Sequence, residues 1–113
     1  MVDTLIELLE SFGYPVYRQG SLTKDDPYPE TFITYWNVES PDHAHYDNSD
    51  FGTAWGFMLF VYSSDPDLTY SIIEDIRSLL QSNDWVVVGR GYDAASDEIT
   101  HTGRAIDVYF LEI

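Results

Sequence analysis

The segment "TAWGFMLFVYSS", residues 53 to 64, is apolar almost without interruption. A run of that kind suits a central strand of a sheet, covered on both faces. Upstream, "TFITYWNV" (31 to 38) is β-branched and aromatic throughout and reads as a second strand. The two flank a polar, acidic stretch at about 39 to 52, like the arms of a long hairpin. A sheet is therefore the scaffold to which the remaining segments must be fitted.

Two amphipathic helices are predicted on either side of that hairpin. Thr4 and Glu7 have the spacing of a capping box. Leu5, Leu8, Leu9 and Phe12 then recur on one helical face, and Gly13 followed by Pro15 ends the run. The second helix opens on Asp65 as N-cap with Pro66 at its first position. Leu68, Ile72, Ile76, Leu79 and Leu80 form its buried stripe, with Ile73 at the edge and Glu74, Asp75 and Arg77 outside. Ser82, Asn83 and Asp84 end it.

The weaker segments complete the order. "YPVYRQ" (14 to 19) is a short strand and "GSLTKDDPYPE" (20 to 30) a turn-rich loop. "WVVVGRGYDAA" (85 to 95) and "RAIDVYFLEI" (104 to 113) are strands joined as a hairpin through residues 97 to 103. In the last strand Ile106, Val108 and Phe110 share one face, with Asp107 and Tyr109 on the other. The expectation is one α+β domain over residues 1 to 113. It has an antiparallel or mixed sheet of about four to five strands in the order α-β-β-β-α-β-β, with both helices packed on one face. A chain of 113 residues fits one such domain and buries a core without staples.

Charge narrows the function. Twenty acidic residues face five basic ones, Arg18, Lys24, Arg77, Arg90 and Arg104, for a formal net charge of −15. Phosphate contacts need Lys and Arg, so direct binding to nucleic acid or to an anionic membrane is not expected. With no cysteine, disulfides, thiolate metal sites and cysteine nucleophiles are excluded. The first residues lack a signal-peptide pattern, and no apolar run approaches the ~18 residues that span a bilayer. A cytosolic protein is expected.

The acidic loop holds the only constellation with a metal-like look. His43, His45 and Asp47 are close enough in sequence to converge on a divalent ion. Alternate residues of an extended segment share a side in any case, so a solvated loop is the reading to prefer. The calcium pattern fails, because Asp47 and Asp50 come without the glycine and distal glutamate it requires. Adjacent Asp97 and Glu98 belong on a hairpin tip, and His101 has no sequence-apparent triad partner. Gly89, Arg90 and Gly91 follow a strand but precede no helix, so they mark a bulge and not a phosphate loop. No catalytic residue and no cofactor is expected.

Aromatic residues carry the stronger signal. Tyr14, Tyr17, Tyr28, Tyr46, Phe51, Trp55 and Tyr92 exceed what two short helices can cover, and surplus rings are enriched at protein interfaces. The interface candidates are Tyr46, Phe51, Trp55 and Tyr92. Arg90 and Arg104 join them as scarce cations that pair within the subunit or across to a neighbour.

From Pro29, Phe32, Ile33 and Tyr35 onward, through the long hairpin and second helix to Arg104, Ile106 and Asp107 in the last strand, the pattern resembles small tail proteins of long-tailed bacteriophages. These are of the tail-completion or tail-terminator type that joins tail to head. The resemblance implies a virion structural protein and not an enzyme. Such a protein caps the tail tube, commonly as a hexameric ring, and docks head connector or stopper proteins. It would sit in the tail or neck of the virion, and in the host cytoplasm before assembly. A strongly negative ring around a DNA channel would let the polyanion slide without sticking. Two other readings stay open: an acidic inhibitor that mimics DNA on a basic host protein, and a metal-dependent enzyme using His43, His45 and Asp47.

Overall fold

The computed structural model describes residues 2–18, 29–38, 53–96 and 100–112. The elements are α1 (Val2–Glu10), β1 (Val16–Arg18), β2 (Thr31–Val38), β3 (Thr53–Ser63), α2 (Pro66–Ser82), β4 (Val86–Ala94) and β5 (Thr102–Glu112). They form an α+β domain around one five-stranded mixed sheet with strand order β1-β2-β3-β5-β4. β1 runs parallel to β2, and every other pairing is antiparallel. The apolar run thus becomes the middle strand, and β2 and β3 pair as the arms of the expected hairpin.

Helix α1 begins at Val2, so Thr4 lies inside it and does not cap it. Leu5 and Leu9 are fully buried, with Leu8 and Phe12 packed beside them. Gly13, at φ 87°, carries the chain out of the helix, and its N–H donates to the Glu10 carbonyl at 3.0 Å. In α2 the Asp65 carboxylate accepts from the Asp67 N–H at 3.0 Å, and Pro66 stands in the first turn. Ile73 is 1% exposed and so belongs to the centre of the buried stripe, not to its edge. Thr69 is also buried within the stripe because its hydroxyl donates to the Pro66 carbonyl at 2.6 Å.

Both helices lie on one face of the sheet. That face supplies Ile33 from β2, Phe57, Leu59 and Val61 from β3, and Ile106 and Val108 from β5, closing on Leu5, Leu9, Ile72, Ile73, Ile76 and Leu80. Trp85, just before β4, seals the end against Phe57 and Phe110. At the opposite end, Thr31 and Ser63 share a hydroxyl hydrogen bond at 2.9 Å, and Ser63 also accepts from the Asp65 N–H. These two contacts tie the start of β2 and the end of β3 to the cap of α2. His101 pins the chain ahead of β2: its Nε2 hydrogen-bonds to the Pro29 carbonyl at 2.8 Å and its Nδ1 to the Thr100 hydroxyl at 3.0 Å. A carbonyl only accepts, so Nε2 carries the proton. No helix among the described residues is long and apolar enough to cross a membrane.

Candidate interaction surface

The second face of the sheet carries no described helix, and its side chains follow from the register. Reading across β2, β3, β5 and β4, one row is Val38, Gly56, Tyr109, Val86, and the next is Trp36, Met58, Asp107, Val88. Thr34, Phe60, Ala105, Tyr92 and then Phe32, Tyr62, Gly103, Ala94 follow. Four consecutive rows hold one carboxylate. The apolar run in β3 is therefore central by position, but only one of its faces is roofed by helices.

Six of the seven large exposed hydrophobic residues among those described lie here: Trp36, Val86, Val88, Tyr92, Tyr109 and Leu111. Exposure reaches 54% at Trp36, 61% at Val86 and 53% at both Val88 and Leu111, against 1% for Phe57 on the helix side of the same sheet. Monomeric proteins rarely expose large contiguous apolar patches, and those that occur commonly mark interaction sites. At the other end of this face Phe32 stacks on Tyr62 at 5.2 Å between centroids, Tyr17 meets Phe32 edge-on, and Phe60 lies parallel to Tyr62. The rings at that end cover one another; those near Trp36 and Tyr109 do not.

Two glycines flatten the face. A Cβ on Gly56 would stand 2.9 Å from Cε1 of Tyr109, and one on Gly103 would stand 2.8 Å from Cε1 of Tyr62. Each tyrosine lies across the neighbouring strand where a side chain is missing, which gives the sheet a broad aromatic floor. In the middle, the Tyr92 hydroxyl donates to Asp107 Oδ1 at 2.8 Å. Partial desolvation, reinforced by that hydrogen bond and the negative charge of Asp107, pushes the phenol up to about 12. The one carboxylate on the face is thus tied down by a neutral donor.

On the helix side, three of the five cations gather where β4 bulges. The register slips between Val88 and Tyr92, so Gly89, Arg90 and Gly91 together oppose Ile106. Gly91, at φ 96°, has no room for a side chain, because a Cβ would meet the Ala105 carbonyl and Ile73 at 3.0 Å. Arg77 Nε donates to the Gly89 carbonyl at 3.3 Å, and Arg90 pairs with Glu74 at 3.2 Å in solvent. Arg104 is nearly buried: it donates to Asp93 at 2.9 Å and lies 4.1 Å from the centre of the Tyr70 ring. Both candidate arginines therefore pair within the subunit.

Of the other interface candidates, Tyr92 is on the open face, whereas Trp55 packs against the core on the helix side, parallel to Phe57. Tyr46 and Phe51 lie outside the described residues, as do His43, His45 and Asp47. Among the described residues no group of three His, Cys, Asp or Glu is placed to hold a metal ion. Trp36, Val86, Val88, Tyr109 and Leu111 went unmarked as interface residues. The signal for them is an apolar content on both parities of the strands, with only two short helices available as cover. Searches against family models and curated proteins find no match to this chain.

Proposed function

We propose that this chain is a structural protein of a phage or prophage tail, a completion, terminator or neck component that works by protein–protein assembly at the tail tube end. The observation that carries the reading is the open sheet face. It is broad, aromatic and nearly uncharged, on a chain of net charge −15. A surface of that composition is suited to burial against protein and offers nothing to phosphate. The resemblance in pattern to tail-completion proteins supplies the context: a homo-oligomeric ring, the tube protein below it and a connector or stopper above.

Two experiments test it. Labelled protein in virions of the encoding phage is expected at the head–tail junction by negative-stain microscopy; label elsewhere, or none, overturns the assignment. Purified protein is expected to bind tail tubes lacking their terminator. Trp36→Asp and Tyr109→Asp, both at exposed positions, should abolish that binding while circular dichroism and melting stay those of wild type.

A further inference from the structure

We propose that β4 is a pairing edge for a second copy of this chain, the two strands running antiparallel about Val87 and merging two five-stranded sheets into one. β4 is the last strand in the sheet order, and no described strand lies beyond it. The outer side of such a strand is a row of unpaired main-chain donors and acceptors, and what satisfies that row is another extended backbone. The opposite edge, β1, is three residues long and ends on Arg18, a form that resists pairing. β4 has no such protection at its start. Val86, Val87 and Val88 are β-branched, uncharged and free of proline, and Val86 and Val88 are exposed.

The sequence around Val87 is self-complementary. Centred there, Val87 faces its own copy and Val86 faces Val88 of the second copy, so the exposed valines meet each other. The bulge at residues 89–91 ends the ladder and fixes its length. Electrostatics favours the same edge. Arg77, Arg90 and Arg104 all lie beside this strand and offset the carboxylates around it, Glu74 and Asp93 among them, which lowers the repulsion that a second acidic copy meets here. Because paired residues share a face, the open apolar faces of the two copies become continuous across the seam. A two-fold contact closes at two copies. The contact stands whether or not the chain serves in a tail.

The absence of cysteine makes the test direct, since introduced thiols are the only ones. Val86→Cys and Val88→Cys copies, mixed under mild oxidation with glutathione disulfide, are expected to form a covalent heterodimer about tenfold faster than Tyr70→Cys copies, whose thiol is exposed on α2. In sedimentation, wild type should dimerise with rising concentration, and Val88→Lys, whose ammonium can face Asp107 of its own chain, should stay monomeric with unchanged circular dichroism. Cross-linking no faster than the Tyr70→Cys control overturns the proposal, even if the lysine variant fails to fold. A wild-type dimer that Val88→Lys leaves intact does so too.

Discussion

At the scale of single residues, the two glycines under tyrosine rings give opposite expectations. A methyl at position 56 is crowded by the Tyr109 ring, which is exposed and free to swing away, and meets the Val38 carbonyl only at ordinary contact distance, 3.5 Å. A methyl at position 103 meets the Ala94 carbonyl at 2.8 Å as well as the buried Tyr62 ring, and backbone cannot yield. Gly103→Ala should therefore cost about 1–3 kcal/mol and Gly56→Ala clearly less, read as denaturant midpoints at a common slope. Equal costs would mean that the Tyr109 ring cannot swing aside or that the Ala94 carbonyl gives way. Tyr92 makes a second case. Its phenol is raised from 10.0 to about 12 in the fold, so its contribution to stability is complete below pH 10. The unfolded chain then loses this proton first, and the contribution fades as pH climbs through 10 to 12. Alkaline unfolding of Tyr92→Phe should accordingly show a shallower loss of stability across that window than wild type, other tyrosines being common to both.

At the scale of elements, helix α2 was legible because its signals are local. An acceptor at Asp65, proline at the next position and a 3.6-residue apolar period need no knowledge of the rest of the chain. Asp65→Ala removes the acceptor of the Asp67 N–H and should cost about 1 kcal/mol, checked by thermal unfolding, with Asp65→Ser restoring most of it. The capping box at Thr4 misled because the same spacing occurs inside helices, where exposed Thr4 and Glu7 simply face water. Ile73 was assigned to the margin by angular position alone. It is buried because the bulged β4 approaches that side of α2, bringing Gly91 against it. The long hairpin and its terminal partner were readable from strand composition, but not that β5 inserts between β3 and β4. That order depends on pairings made across the whole chain.

At the scale of the molecule, charge and surface pull in opposite directions. A body at −15 repels its own copies, while an uncovered aromatic sheet face favours burying them together. Added salt screens the first and leaves the second, so melting temperature and self-association should both rise with sodium chloride. Light scattering and calorimetry between low and moderate ionic strength check this. A fall in association with salt would instead mean that ion pairs hold the copies together.

Fold class, the elements and the buried side of each helix were legible along the chain, because periodicity, caps and breakers act over a few residues. Net charge was legible as well, since it is a sum and needs no geometry. Which aromatics are left outside depends instead on packing across the whole fold. Trp55 and Trp36 read alike along the chain, yet one faces the helices and the other the open side. A strand exposes whichever face its neighbours do not cover, and that depends on where both helices come to rest.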